Sequence, residues 1–505
     1  MANGAEQEPR GVLTGNFAQN MALLSAACHA RENEDVVVHP FTMMGREAAV
    51  FYVDGMAEDA KVQKFLLMPC LEAKEPPEET ALADYLCRQV VPMGSLTPTT
   101  QAERAAQRIF SGDVALICDG MPCALMADVK GFVKRGVGEP INESVIIGPH
   151  EGFNESLRDN VVLLRRMLRT PSLISEQLSV GTKIPTRLSL VYLAGVAREE
   201  TLQELRRRIA GCNVDYVSSI GMLEQLIEDK PFSLFPQVVT TERPDRAVSF
   251  LNEGQVVIVM ENAPSVLIMP ISVVHLFHAP DDTGMRWQYG TFLRLLRMAG
   301  ILISLLLPAV FVSLTVFHPE GMPLSLITSV IESQSRVPLS LFTSMLLMLL
   351  VFSLINEAGA RVPGAMGGSF SIVSGLILGQ AAVDADLLSP LLIIVVAISG
   401  LGSYAVPSFP LTLSLRIAQF FLVLASGIAG YLGMVLGLFF ILMRLAGLTS
   451  LHYPYLAPVA PRRVSNPDTL LRLPIWRQRL RGYIANPAQM ERAQGRMRAW
   501  DRPKK

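Results

Sequence analysis

Five small residues in one uncharged stretch recur at helical spacing. Gly364, Gly368, Ser371, Gly375 and Gly379 follow i, i+4, i+7, i+11 and i+15, which is one face of an α-helix. Two chemistries fit such a face. Small side chains let helix backbones approach closely and pack. Alternatively, a symmetric oligomer brings the face to a central axis, where with Gln380 it lines a narrow polar path; a non-apolar surface at membrane depth has to meet protein or water. Asp384 and Asp386 cap the far end of this segment, and a ring of such carboxylates would favour cations at a pore mouth, although a solvated loop accounts for them equally simply. On the near side Glu357 and Arg361 stand four apart, an i, i+4 ion pair ahead of the break at Pro363, and the three are gating or structural candidates.

Enzymatic signatures are missing from the sequence. It has no phosphate-binding P-loop, no G-x-G-x-x-G after a strand, no H-E-x-x-H and no G-x-S-x-G elbow. Histidine is scarce, seven in all, and no two are spaced for a metal. The expectation is a non-enzyme with no catalytic residue, no metal and no cofactor.

The elements that hold the small-residue face are apolar helices. Apolar residues make up 50% of the 505 and charged residues 18%, against a globular norm of roughly 25% charged. From Met298 to Met443 only eight charges occur in 146 positions: Glu320, Glu332, Arg336, Glu357, Arg361, Asp384, Asp386 and Arg416. Spans need about 20 mostly apolar residues. Met298 to Phe317, Leu339 to Asn356, Val362 to Val383, Leu387 to Val406 and Ile417 to Met443 are the five candidates. A second small-residue row, Gly427, Gly430, Gly433 and Gly437, lies in the last of them and reads as packing.

Charge and cysteine usage speak to sidedness. Residues 444–505 carry thirteen Lys/Arg and three Asp/Glu, and a basic segment beside a membrane span is retained on the cytoplasmic face, where it touches anionic headgroups. Arg286, Arg294 and Arg297 flank the first apolar run and argue that the preceding soluble region is on the same face. Two ends on one face require an even number of crossings. Five candidates do not give one, so either one of them is re-entrant or surface-lying, with the short 339–356 segment the suspect, or one end is on the other face. All six cysteines lie in the soluble part, with no C-x-x-C pair, as suits buried reduced thiols.

The soluble part is internally repeated. Phe51-Tyr-Val-Asp-Gly-Met-Ala57 matches Val191-Tyr-Leu-Ala-Gly-Val-Ala197, and Gly112-to-Pro122 matches Gly254-to-Pro264. Each copy reads as strand, helix and hairpin, a small α/β sandwich. The fold class is therefore a soluble α/β region of two duplicated subdomains followed by an α-helical transmembrane domain of four to five hydrophobic segments. The division is 1–35 N-terminal helical segment, 36–150 first subdomain, 151–180 linking helix, 181–283 second subdomain, 284–445 transmembrane domain and 446–505 basic cytoplasmic tail. Arg206-Arg207-Arg208 and Arg165-Arg166 invite a nucleic-acid reading, but a solvated helix face suits an acidic domain better, so no nucleic-acid partner is expected. The cleft between the copies is a general ligand location for which the sequence names no occupant.

Several short motifs in order carry a family resemblance. They are Glu139-Pro140, Gly148-Pro-His-Glu-Gly-Phe153 with Asn160, Thr241-Glu-Arg-Pro-Asp245, Phe317-His-Pro-Glu320, Glu357-Ala-Gly-Ala-Arg-Val-Pro363, Gly379-Gln-Ala-Ala-Val383 and Tyr453-Pro-Tyr-Leu-Ala-Pro458. Together they resemble the spore germination receptor A-subunit family, the GerA type, through nearly the whole chain. The resemblance implies a protein of the endospore inner membrane in a Gram-positive spore former, with soluble region and tail on the core side. It also implies a transporter-like B subunit and a C-subunit lipoprotein as partners, contact with membrane lipid, and a homo-oligomeric cation channel opened when a nutrient binds the complex. Two departures stand out. Ala279-Pro-Asp-Asp-Thr-Gly284 replaces an acidic, aromatic patch, and Ser344, Leu349 and Ser353 replace acids in the second apolar segment. With Gly290-to-Arg297 they also resemble a paralogous branch, the stage V sporulation protein AF, an accessory that amplifies ion release. Two other classes compete, a secondary transporter and a non-conducting scaffold. Transporters repeat their membrane half, whereas the repeat here is in the soluble half.

Overall fold

The computed structural model describes residues 11–76, 81–93, 96–131, 138–140, 143, 148–361, 366–462, 468–469, 471–482, 485 and 487–492. The chain divides into two compact units: Met1–Glu228 with Val238–Ile271 and Leu480–Gln494, and Asp229–Gln237 with Ser272–Arg479 and Gly495–Lys505.

The first unit holds two antiparallel five-stranded sheets. Strands β1 (Val36–Met43), β2 (Arg46–Val53), β3 (Leu96–Thr99), β4 (Asp113–Cys118) and β5 (Ala124–Asp128) are ordered β1-β2-β4-β5-β3. Strands β6 (Leu173–Val180), β7 (Thr186–Leu193), β8 (Val239–Thr241), β9 (Val256–Met260) and β10 (Val266–Met269) are ordered β6-β7-β9-β10-β8. The two orders are the same, and the registers repeat: Phe51 faces Ala115 in one sheet and Val191 faces Val257 in the other. Turn chemistry repeats as well. Gly55 and Gly195 share φ of 76°, and Gly112 and Gly254 have φ of 97° and 92°, conformations that a Cβ would strain. The duplicated α/β architecture read from the sequence is thus the architecture of the fold.

Alternation along the strands buries both faces of the first sheet. Ala49, Phe51, Ala115 and Ile117 join one core with helix α1 (Phe17–Ala27) and α2 (Ala102–Ile109), while Val50, Leu116 and Cys118 join the other with Val62, Leu66 and Cys70. All six cysteines are free and four are buried; burial pushes the Cys28 and Cys70 thiols up to about 12. The linker expected over 151–180 is helical only in α3 (Leu157–Met167), capped by Ser156, and Leu173–Val180 is already a strand of the second sheet. From α3, Arg165 ties the copies together. It donates to Asp35, to Asn33 Oδ1 at 2.9 Å and to Leu173 O at 2.9 Å, and its guanidinium lies 4.8 Å from the Phe110 ring centre.

The arginine triplet sits on α4 (Glu199–Ala210), where every member holds a carboxylate. Arg206 bonds Glu176 and Glu199, and Arg207 and Arg208 share Glu204, whose carboxyl they hold down to about 2. Part of the basic tail is built into this unit. Leu480 bridges Glu491, Ala488 N donates to Val196 O at 2.9 Å, and Arg492 and the Gly482 amide both engage Glu253.

The second unit is helical: α5 (Trp287–Val312, extended by a wider turn to Phe317), α6 (Leu324–Ser335), α7 (Leu341–Arg361), α8 (Met366–Asp384), α9 (Pro390–Tyr404) and α10 (Phe409–Ala446). Among the described residues, Trp287–Phe317, Leu341–Gly359 and Phe409–Ala446 are long and apolar enough to cross a membrane. The 339–356 segment, suspected of being re-entrant because it is short, lies in a longer helix: α7 has 21 residues, whereas α9 has 15.

The last helix is not one rod. Ala429 (φ −134°, ψ 22°) and Gly430 (φ 58°, ψ −138°) break it, and the chain folds back. A Cβ at Gly433 would collide with the Ala425 carbonyl, one at Gly437 would stand 3.0 Å from Leu422 Cδ2, and the Phe421 and Phe440 rings lie 5.9 Å apart. These contacts pair residues at matching distances on either side of Gly430, which defines an antiparallel helical hairpin. Its two ends come back to one place: Ser414 Oγ donates to Leu234 O and Lys230 Nζ to Gly447 O. We term this end the base and the Gly430 end the tip.

The other helices fall into the same frame. At the base of α5, Arg294 and Arg297 clamp the fully buried Asp282, at 3.2 and 2.8 Å, and Arg294 also holds Asp468 at 2.7 Å. The far end of α5 meets the tip, where a Cβ at Gly430 would lie 2.9 Å from Phe317 Cβ and His318 stacks on Tyr431 with ring centres 5.3 Å apart. Phe342, at the start of α7, covers Gly427 near the tip, whereas Asn356 near its end bonds Tyr404 of α9, whose Gly402 touches Gly300 of α5. Among the described residues, α5, α7, α8, α9 and the two arms of α10 therefore alternate between tip and base, six legs in all, while the short α6 stays at the tip end, where Ser333 meets Ser389 ahead of α9.

Candidate functional site

Helices α7, α8 and α9 line an open cavity of about 520 Å³. The sequence puts glycines on one face of α8, and that face supplies part of the wall: Gly375 and Gly379, with Gln380 and Asp384 toward the tip and Tyr404 toward the base. The remaining wall is apolar, with Met348, Phe352, Ile393 and Ile394 prominent.

The small-residue face does two things along its length. Gly379 is buried, and a Cβ there would touch Ile393 Cγ2 at 3.6 Å, an ordinary packing contact. One turn earlier, Gly375 is half-buried with nothing within 4 Å of where its Cβ would be. Gly368 and Ser371 lie on the same helix, but the Ser371 side chain, like Pro363 and Gly364 altogether, is outside the described residues. Asp384 and Asp386 are exposed at the tip end, and Asp386 takes φ of 52° in the turn that leads to α9. Glu357 and Arg361 pair at 2.6 Å across one helical turn at the base end, both solvent-accessible, the geometry their spacing predicts.

Polar groups that spacing did not single out lie elsewhere in the helical unit. Gln419 Nε2 donates to Ser399 Oγ at 2.6 Å, which donates to Ser304 O at 3.0 Å, so a buried chain of hydrogen bonds joins α10, α9 and α5. Close by, the Tyr404 hydroxyl donates to Asn356 Oδ1. Asn356 Nδ2 and Arg416 Nε are buried and find no acceptor among the described residues, an expensive state that marks the base end as the polar end of the bundle interior. Arg416 was visible in the sequence as one of the eight charges between Met298 and Met443. Asn356 was not, because an amide carries no charge signal. The backbone contact of α5 with α9 is also new: a Cβ at Gly300 would lie 3.1 Å from Gly402 O.

What this arrangement offers is a void along a small-residue helix, carboxylates at one end and polar groups at the other.

Comparison with known proteins places the chain. The model of the Bacillus/Clostridium GerA spore germination protein family matches residues 24–484. Spore germination protein KA of Bacillus subtilis is 31% identical over 93% of this chain and 87% of its own length. Spore germination protein B1 of the same organism is 32% identical over 88% and 92%, and GerLA of Bacillus cereus is 32% identical over 85% and 87%. A solved structure, the N-terminal domain of the A subunit of the Bacillus megaterium spore germinant receptor GerK3, aligns at 26% identity over 52% of this chain and 98% of that one, with a TM-score of 0.41. The matched stretch runs from the first sheet through the apolar helices and into the tail, and with the relatives it leads to one statement: the chain belongs to the GerA family of spore germination proteins.

Proposed function

We propose that this chain is the A-type subunit of a nutrient germinant receptor, that copies of it assemble symmetrically, and that the assembly releases cations when nutrient binds elsewhere in the complex. Family membership supports the receptor role. The observation that carries the conducting part is the cavity beside Gly375 and Gly379, with the Asp384 carboxylate at one end and Tyr404 at the other. Its partners in this reading are a transporter-like B subunit, which recognises the nutrient, and a C-subunit lipoprotein. The soluble double module is a docking and gating platform without catalytic activity. The membrane is the endospore inner membrane, with both soluble ends on the core side; six legs support this sidedness, since an even number returns the chain to the face it left.

The apolar lining favours a second reading. Met348, Phe352 and Ile393 suit a surface that receives a neighbouring subunit's helix, in which case the chain is a non-conducting scaffold or an accessory of the stage V AF type. Monovalent cation flux from liposomes holding this chain alone, then with its B and C partners, separates the two. Flux altered by Gly375→Leu supports conduction along this face. Absence of flux from a folded oligomer in both settings leaves the scaffold.

A further inference from the structure

A second cavity, of about 770 Å³, lies at the base of the hairpin, away from the glycine face. Its floor is apolar: Ile417 and Phe421 from one arm and Phe440 from the other, each 41–56% exposed. Its rim is cationic. Lys230 donates to the Gly447 carbonyl at the end of the helix and keeps further donors available, and Arg444 is exposed one turn earlier. Among the described residues neither makes an ion pair. The nearby Asp229 carboxylate is directed elsewhere, toward Thr449 Oγ1 and the His452 amide.

Over this cavity stands Phe232, 95% exposed. Its loop is firmly built. Gln237 accepts from Lys230 N at 3.0 Å and donates to Lys230 O at 2.8 Å, Tyr455 donates to Pro236 O at 2.8 Å, and Ser450 to Gln237 O at 2.8 Å. Holding an aromatic ring out of a fixed loop, beside cations and above apolar helix arms, matches an interfacial anchor.

We propose that this cavity binds one anionic phospholipid of the leaflet at the base, its phosphate between Lys230 and Arg444 and an acyl chain along Ile417, Phe421 and Phe440 under Phe232. Charge complementarity selects the headgroup, and the aromatic floor selects a chain rather than a free anion. The site requires that the bundle be lipid-embedded and is independent of whether it conducts.

The test is lipid retention by the full chain in detergent, read by native mass spectrometry while phosphatidylglycerol or phosphatidylcholine is titrated in. One phosphatidylglycerol is expected to remain bound at about tenfold lower concentration than phosphatidylcholine, the preference two cations at a headgroup supply. Arg444→Gln and Phe232→Ser should each weaken it severalfold, while Arg336→Gln, at the tip end, should not. Lys230→Ala also removes a helix-end contact, so the Arg444 and Phe232 variants carry the decision. Equal retention of the two lipids, or phosphatidylglycerol binding unmoved in monodisperse Arg444→Gln and Phe232→Ser proteins, overturns the proposal.

Discussion

Two rows of small residues with the same spacing rule meet different fates in this molecule. The row in α10 closes the chain on itself: Gly427 receives the Phe342 ring, Gly430 makes the reversal, and Gly433 and Gly437 let one arm lie on the other. The row in α8 stays partly open, with Gly379 against Ile393 and Gly375 facing a void. A stripe of glycines therefore announces close approach without naming what approaches. The positive φ at Gly430 is what tells the rows apart, and the sequence pattern does not contain it.

The comparison is most open to attack at Gly433. Gly433→Leu drives a side chain into the Ala425 carbonyl, and a cost above about 4 kcal/mol is expected, seen as loss of monodisperse protein after extraction. A variant that behaves as wild type would falsify the hairpin. Gly430→Ala strains a backbone conformation close to glycine-only and crowds Phe317, so a loss of about 2–3 kcal/mol in thermal unfolding is expected. Gly379→Leu should cost about 1–2 kcal/mol by overpacking against Ile393, measured in the same way. Gly375→Leu has room and should change stability by less than about 0.5 kcal/mol; its effect, if the face conducts, is on flux alone. Should Gly375→Leu prove as damaging as Gly433→Leu, the two rows are alike and the distinction fails.

The hairpin can also be tested by topology. Single cysteines at Ser408 and Gly447 should be labelled from the same side of the membrane, and one at Asp386 from the other. Labelling of Ser408 and Gly447 from opposite sides contradicts the fold-back.

The soluble unit was far more legible than the helical one, for a physical reason. A duplicated sheet must repeat both its period-two burial and its φ > 0 turns, so Gly55/Gly195 and Gly112/Gly254 show in the sequence and recur in the structure. The Arg165 tie to Asp35 and Asn33 was not readable, because it joins residues remote in sequence through specific geometry. In the helical unit hydropathy located every apolar segment but not its path. A 27-residue apolar run from Ile417 to Met443 satisfies one long span and two short arms alike, and nothing in composition separates them. That ambiguity is why the odd count of five candidates drew suspicion to the 339–356 segment, while the reversal lay at Gly430. Among the site candidates, the Glu357–Arg361 pair followed directly from helical spacing, whereas the cavity needed three helices in place before it existed.

The reversal at Gly430 has a consequence for how the protein reaches its membrane. Arg416 and Arg444 stand at equal sequence distance on either side of Gly430, and no charge lies between them. A single long rod threaded across the bilayer would carry one of these guanidiniums through hydrocarbon, a costly passage. A closed loop would avoid it: two arms entering together from the base would leave both arginines on one side. Their peptide dipoles run in opposite directions and largely cancel, so the pair enters as a nearly neutral wedge.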